Sequence, residues 1–133
     1  MKLTNHAKYP YVVAEYAEIF PKALKDHKGS YFIRYKGNTL GGVIDNKVFI
    51  NRDYASNGCS WSPDSESSTT GCIWHDLLTQ IRLSYKNSIT EKQAAEVMLE
   101  IHTLSKCYWG KIGYWALTSN ITSPFRKLFR LFR

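Results

Sequence analysis

The strongest constraint on the fold of this chain is an apolar stripe at helical spacing between residues 71 and 85. Apolar side chains recur there every three or four positions, which is the period of one face of an α-helix. That face consists of Ile73, Trp74, Leu77, Leu78, Ile81 and Tyr85; the other consists of Cys72, His75, Thr79 and Arg82, with Asp76 at its margin. The pattern predicts an amphipathic helix from Thr69 or Thr70 to about Tyr85, with one buried and one solvated face.

A second helix is predicted from the sequence ITEKQ at residues 89–93. Thr90 and Gln93 have capping-box spacing, in which each side chain accepts a hydrogen bond from the other residue's backbone N–H. The helix is expected to reach about Lys106 and to pack antiparallel to the first, because the connection between them is short. Its predicted buried residues are Ala94, Val97, Met98, Ile101 and Leu104.

The first half of the chain is predicted to contain one helix and a small β-hairpin. Four apolar residues within residues 11–20 have helical spacing. They are Val12, Tyr16, Ile19 and Phe20. Residues 31–37 predict a strand, and residues 41–51 predict a hairpin that turns at Asp45 and Asn46.

The length and these elements predict one α+β domain spanning residues 1–133. Residues 52–70 have no periodicity and form a loop longer than a compact domain usually carries without a function. We expect a mostly helical fold, in which a small β-hairpin accompanies a pair of antiparallel helices and a C-terminal amphipathic helix. Residues 1–29 would form an N-terminal helical segment, residues 30–118 the core and residues 119–133 a basic amphipathic tail.

Composition narrows the class of protein. Apolar residues make up 44% of the chain, which excludes a disordered protein, and no apolar run approaches the ~20 residues that cross a bilayer. The N-terminus lacks a signal-peptide pattern, so a cytoplasmic location is expected. The formal charge of +7 favours an acidic partner. Three cysteines without CxxC spacing are an odd number, so reduced and mostly buried thiols are expected.

His75 and Asp76 are the candidate reactive pair. Histidine titrates near neutral pH and can therefore act as a general base. The Asp76 side chain points about 100° further around the helix, which suits it to hold a cation beside the imidazole. Thr79, one turn on, or a residue of the second helix could orient the ring. The alternative interpretation is that both side chains simply belong to the solvated face of an amphipathic helix.

Four short motifs follow one another around this pair. They are RDYAS at residues 52–56, the loop aromatic Trp61, GCIWHDLLT at residues 71–79 and AAEVM at residues 94–98. In order and spacing they resemble a family of small phage and prophage proteins, domain of unknown function 1353, with the pattern TDxAS, an aromatic-rich loop, AAxxHDxLY and ADxxF. The similarity covers residues 47–118. It implies a protein of the host cytoplasm or of the virion.

The pattern of that family is in turn similar to secreted phospholipase A2 and to the lipase domain of parvovirus capsids. Those enzymes carry HDxxY on one helix and a second aspartate on an antiparallel helix. The resemblance implies that His75 would be the water-activating base and Asp76 a calcium ligand. It also places Asp53 and Ser56 in the same constellation.

The chain departs from this pattern at both positions that orient the histidine. Thr79 stands in place of the tyrosine and Ala95 in place of the second aspartate. Loss of such groups typically lowers the rate by orders of magnitude. Asp53 is the preferred substitute for the missing carboxylate, and His102 is another candidate on the flank of Ala95. Asp53 could equally well cap a turn and fix the long loop through its backbone.

Zinc is a less favoured cofactor than calcium. Cys72 and His75 have i, i+3 spacing, and Cys59 or Cys107 could join them. Structural zinc sites usually contain two closely spaced ligand pairs, whereas here only one pair has such spacing. Buried thiols explain the cysteines more simply.

The sequence SPFRKLFRLFR at residues 123–133 predicts a basic amphipathic helix. Its apolar face is formed by Phe125, Leu128, Phe129 and Phe132, and its charged surface by Arg126, Lys127, Arg130 and Arg133. Such a helix suits an anionic membrane surface or a groove on a partner. Nucleic acid is less favoured, because no recognised binding motif accompanies the charges. Alternatively, the apolar face packs on the domain itself.

Three functions remain open. The first is a non-catalytic virion or host-interaction protein on a degenerate hydrolase-like scaffold, which the departures at Thr79 and Ala95 favour. The second is a metal-assisted hydrolase of a lipid or another ester, with His75 as general base. The third is a basic amphipathic module that binds a membrane or nucleic acid. Whether the protein is an enzyme is therefore undecided by the sequence.

Deleting residues 124–133 distinguishes the two interpretations of the tail. If the tail packs on the domain, its loss removes buried apolar surface and the protein should unfold. If the tail binds membranes, the melting temperature should stay the same and only binding to anionic liposomes should weaken. Thermal unfolding and liposome co-sedimentation measure the two outcomes.

Overall fold

In a computed structural model, the described part of the chain comprises residues 3–4, 11–56 and 66–104. Its elements are β1 (Leu3–Thr4), β2 (Tyr11–Val13), β3 (Ala17–Ile19), a 3-10 turn (Lys22–Leu24), β4 (Ser30–Tyr35), β5 (Asn38–Ile44), β6 (Lys47–Ile50), β7 (Ala55–Ser56), α1 (Glu66–Ser84) and α2 (Glu91–Leu104). The fold class is α+β, but the expectation of a mostly helical chain is not supported. No helix in this part of the chain is long and apolar enough to cross a membrane.

A four-stranded antiparallel sheet with the strand order β3-β6-β5-β4 forms one layer of the fold. The hairpin predicted to turn at Asp45 is confirmed, because β5 pairs with β6 on either side of that residue. The strand predicted at residues 31–37 is β4, which a turn at Lys36 and Gly37 joins to β5. Both turn residues have positive φ, 51° and 80°, as the tightest hairpin turns require.

In the predicted N-terminal helical segment of residues 1–29, the helix expected within residues 11–20 does not form. Residues 11–13 form β2, which pairs with both β1 and β7, and residues 17–19 form β3, which pairs with β6. The partners β6 and β7 come from residues 47–56, far along the chain. Pairing with distant strands therefore overrides the local helical spacing, and the two consecutive β-branched valines of β2 suit a strand.

Both central helices are confirmed, with small differences at their ends. Helix α1 begins at Glu66, earlier than predicted, and α2 ends at Leu104. The capping box is formed: the Gln93 N–H donates to Thr90 Oγ1 and the Thr90 N–H donates to Gln93 Oε1, each over 3.0 Å. The C-terminal amphipathic helix expected in residues 119–133 lies outside the described residues.

The core forms where α1 packs against the sheet and α2. Its buried members are Val13, Leu24, Val43, Val48, Ile50, Tyr54, Ile73, Trp74, Leu77, Leu78, Ile81, Ile89, Ala94 and Val97. Ala94, Val97 and Met98 are buried as predicted, whereas Leu104, also predicted to be buried, is 78% exposed. The helices approach closely at Gly71, where an added Cβ would collide with the His102 ring.

Two polar side chains tie the loops to the helices. The Lys22 N–H donates to both carboxylate oxygens of Glu100, over 3.2 and 2.9 Å, so α2 caps the 3-10 turn. His27 Nδ1 lies 2.7 Å from the Asp45 carbonyl oxygen, and His27 Nε2 lies 3.2 Å from the Ser88 carbonyl oxygen. The imidazole thereby connects the β5–β6 turn to the segment between the two helices.

The substitution Gly71→Ala is expected to destabilise the protein by about 1–3 kcal/mol, because the new methyl group must displace the His102 ring. At an uncrowded helix position the same change would stabilise by about 1 kcal/mol, so the sign of the effect reports on crowding. Denaturant unfolding gives the free energy. Gln80→Ala, at an exposed position of α1, is the control. A more stable Gly71→Ala variant would contradict the close approach of the helices.

Candidate functional site around Asp76

Ser56 and Asp76, which the sequence resemblance places in one constellation, are in direct contact. Ser56 Oγ donates a hydrogen bond to Asp76 Oδ2 over 2.6 Å. Ser56 is only 4% exposed, and Asp76 is half-buried. Hydrogen bonds to ionised carboxylates are shorter and stronger than those between neutral groups. The contact therefore fastens β7 to the middle of α1.

Backbone pairing with β2 positions β7 for this contact. Tyr11 pairs with Ser56 across the two strands. The Val13 N–H donates to the Tyr54 carbonyl over 2.9 Å, and the Asp53 N–H donates to the Val13 carbonyl over 2.8 Å. Tyr54 itself belongs to the core and is 2% exposed. Backbone and side-chain contacts thus fix the RDYAS motif along most of its length.

Asp53 is exposed and has a left-handed backbone conformation. Its side chain is 77% exposed and pairs with the equally exposed Arg52 over 3.9 Å. An exposed pair of this kind contributes little to stability. Asp53 has a φ of 77°, a left-handed conformation that aspartate adopts more readily than most residues. This placement favours the interpretation in which Asp53 fixes a turn and gives no support to its role in orienting the imidazole.

His75 is buried, so the expectation that it lies on a solvated helix face is wrong. The residue is 5% exposed, Cys72 on the same face is fully buried, and Thr79 is half-buried. Other elements cover this face of α1. The sulfur atoms of Cys72 and Met98 are 4.0 Å apart across the two helices, and β7 packs beside Asp76.

Helix α2 brings a histidine against α1 at Gly71. Ala95 and His102 are both fully buried. The His102 ring lies against Gly71, one helical turn before His75. The importance of Gly71 was missed in the sequence, although a glycine inside a helical pattern often marks a close approach of backbones.

The donors expected for calcium or zinc do not assemble within residues 11–56 and 69–104. In these ranges, no group of three or more His, Cys, Asp or Glu side chains is arranged to hold a metal ion. One carboxylate oxygen of Asp76 already accepts the Ser56 hydroxyl. Cys72 is disulfide-bonded, so the expectation of a reduced thiol is wrong there and its sulfur is not the thiolate that zinc needs. Binding of calcium or zinc at this site stays a prediction.

Several predicted site residues lie outside the described residues. They are Cys59, Trp61, Cys107, Arg126, Lys127, Arg130 and Arg133. An aromatic side chain near the His75-Asp76 pair and a basic surface for a membrane or partner therefore stay predictions.

The chain was compared with protein-family models, curated proteins and solved structures. No protein-family model, no curated protein and no solved structure matches the chain. The resemblance to the phage family and to the phospholipase helix pattern stays a prediction. The interpretation of the site rests on its own geometry.

Removal of the Ser56 hydroxyl is expected to destabilise the protein by about 1–3 kcal/mol, because the half-buried Asp76 carboxylate loses a donor. A double-mutant cycle with Ser56→Ala and Asp76→Ala should give a coupling energy of about 0.5–3 kcal/mol in denaturant unfolding. Arg52→Ala, at a 78% exposed arginine of the same motif, is the control and should stay within about 0.5 kcal/mol of wild type. Strictly additive effects of the first two substitutions would refute the direct contact.

Proposed function

We propose that this protein is a non-catalytic interaction protein in which His75 and Asp76 stabilise the fold. The observation that carries the proposal is the 2.6 Å hydrogen bond from Ser56 Oγ to Asp76 Oδ2, next to a histidine that is only 5% exposed. A carboxylate that joins a strand to a helix, adjacent to a buried imidazole, supports a structural role for the pair. The function then belongs to surfaces elsewhere on the molecule.

A hydrolytic role makes demands that these residues meet poorly. A general base must come within hydrogen-bond distance of the water that it activates, and His75 offers little exposed surface to water or substrate. The imidazole of a hydrolase is also oriented by another polar group. At the two positions where the resembling enzymes carry that group, this chain has Thr79 and Ala95. The methyl group of alanine cannot accept a hydrogen bond.

A metal-assisted hydrolase of a lipid or another ester is the second candidate. One observation favours it: Ser56 and Asp76 are in contact immediately beside His75. In that function His75 would be the base and Asp76 a calcium ligand, as the resemblance implies. The hydrogen bond from Ser56 would then orient the Asp76 carboxylate that binds the ion.

The partner of the proposed interaction protein would be a virion or host component, as the resemblance to phage proteins implies. The net charge of +7 favours an acidic surface on that partner. We further propose that residues 119–133 form the basic amphipathic helix predicted from the sequence. That helix would add contact with an anionic membrane surface.

The two candidate functions predict opposite effects of His75→Ala. In the structural role, the substitution leaves a cavity beside α1 and should cost about 1–3 kcal/mol of stability, with no hydrolysis of phospholipids or simple esters by either protein. Calorimetry of the metal-stripped protein should detect no calcium or zinc binding that depends on Asp76. Thermal unfolding, ester assays and titrations of wild type and Asp76→Asn test these points.

Arg52→Ala, at an exposed position next to the same motif, is the control for stability. Ester hydrolysis by wild type that disappears in His75→Ala, with an unchanged melting temperature, would refute the proposal. Saturable calcium binding that Asp76→Asn abolishes would do the same. Either result would establish the second candidate as the better one.

A further inference from the structure

The four-stranded sheet has a second face that the core does not use. Val43, Val48 and Ile50 point into the core, and Gly41 lies against Leu77 of α1. Because side chains alternate along a strand, the residues between them point the other way. That opposite surface, called here the aromatic face, carries Tyr16, Phe32, Arg34, Lys47 and Phe49.

Three aromatic rings form a row across this face. The Tyr16 and Phe49 rings are stacked, with centroids 6.1 Å apart and an interplanar angle of 26°. The Phe32 ring lies on the other side of Phe49, 6.2 Å away between centroids. Gly42 makes the row possible, since a Cβ there would lie 3.1 Å from atoms of both phenylalanine rings. The rings thus form a preformed platform that crosses three neighbouring strands and the segment before β3. Phe49, at its centre, is only 7% exposed and supports the accessible ring of Tyr16 and the half-buried ring of Phe32.

Cations accompany the rings. The Arg34 guanidinium lies over the Phe32 ring, 5.5 Å from its centroid, and the Lys47 ammonium lies 5.8 Å from the centroid of Phe49. The Lys47 ammonium also lies 3.8 Å from the carboxylate of Glu18, a negatively charged residue on the same face. That carboxylate accepts a 2.7 Å hydrogen bond from the Tyr16 hydroxyl, and this bond raises the pKa of Tyr16, with smaller contributions from desolvation and the charge of Glu18. The hydrogen bond to Glu18 holds the Tyr16 ring in place.

The platform is open to solvent at its edges. Tyr16 is 49% exposed, and the Arg34 side chain is exposed as well. Of the exposed large apolar residues within residues 11–56 and 69–104, four belong to this sheet or its adjoining segments: Tyr16, Phe20, Tyr35 and Ile44. At the tip of the β4–β5 hairpin, the Lys36 ammonium lies 5.3 Å from the centroid of the Tyr35 ring. Because Tyr35 follows Arg34 directly in β4, its ring points to the other side of the sheet, and this pair lies beyond the aromatic face.

We propose that the aromatic face binds single-stranded nucleic acid. Unpaired bases stack on exposed aromatic rings and on guanidinium groups, while phosphates pair with neighbouring cations, and sheet surfaces that bind single strands combine both. The rings and cations of this face offer the same combination, in a chain of net charge +7 that attracts polyanions. A duplex fits poorly, because its bases are already stacked and paired. This inference shares one assumption with the proposed function, namely that the protein acts by binding a partner.

The roles of individual residues follow from their exposure. Tyr16 has the most accessible ring of the row, so we expect an unpaired base to stack on it. Arg34 can stack on a second base above Phe32 or pair with a phosphate. Lys47 can exchange Glu18 for a phosphate without a large movement, because that ion pair is partly exposed.

The test is fluorescence anisotropy with labelled oligo-dT and oligo-rU of about 16 nucleotides and with a duplex of the same length. Wild type should bind the single strands more tightly than the duplex, with an affinity that falls between about 50 and 200 mM salt. Tyr16→Ala and Arg34→Glu should each weaken binding by about ten-fold or more, whereas Tyr16→Phe should retain most of it. Lys92→Glu, at a 73% exposed lysine of α2, changes the net charge equally and should have a much smaller effect.

Circular dichroism melting shows whether each variant is folded. Arg34→Glu replaces an exposed side chain and provides the test if Tyr16→Ala proves unstable. The proposal is overturned if wild type binds no single strand, binds the duplex equally well, or loses as much affinity in Lys92→Glu as in Arg34→Glu. Binding to anionic phospholipid vesicles in place of single strands would overturn it too. Ester hydrolysis that depends on His75 would refute the proposed function but not nucleic-acid binding by the aromatic face. The two results are independent, because none of the binding variants changes a residue of α1.

Discussion

The hydrogen bond between Ser56 and Asp76 joins β7 to a helix that the rest of the molecule already surrounds. On a second side of α1, Leu77 packs against the four-stranded sheet. On a third side, α2 approaches so closely at Gly71 that no Cβ fits. Helix α1 is therefore the element that both sheets and the second helix share. A substitution that separates β7 from α1 would break this hydrogen bond and expose the half-buried Asp76.

The packing of other elements around α1 determines how much of His75 and Asp76 is exposed to solvent. Neighbouring polar residues of this kind serve either catalysis or structure, and access to solvent separates the two. His75 has almost none, and the Asp76 carboxylate is engaged by a hydroxyl from a neighbouring strand. These contacts are the basis for proposing a structural role for the pair.

The two faces of the four-stranded sheet differ in role. One face packs into the core, and the other is the aromatic face proposed to bind a partner. Alternation along β6 points Val48 and Ile50 into the core and leaves Lys47 and Phe49 on the opposite surface. Changes at its exposed residues Tyr16 and Arg34 can therefore alter binding without emptying the core, whereas Phe49 is only 7% exposed. Gly42 is the exception, because its missing side chain lets the rings of Phe32 and Phe49 come together.

The sequence by itself determined the features that depend on neighbouring residues. The turn at Asp45 and the capping box of Thr90 and Gln93 involve groups only a few positions apart, and both form as predicted. The apolar stripe of α1 likewise predicted the helix and its buried face. Only the tertiary structure decided that residues 11–19 are strands, since their pairing energy comes from β6 and β7, distant in the chain. It alone buried His75, because a helix pattern shows which residues share a face but not what packs against that face.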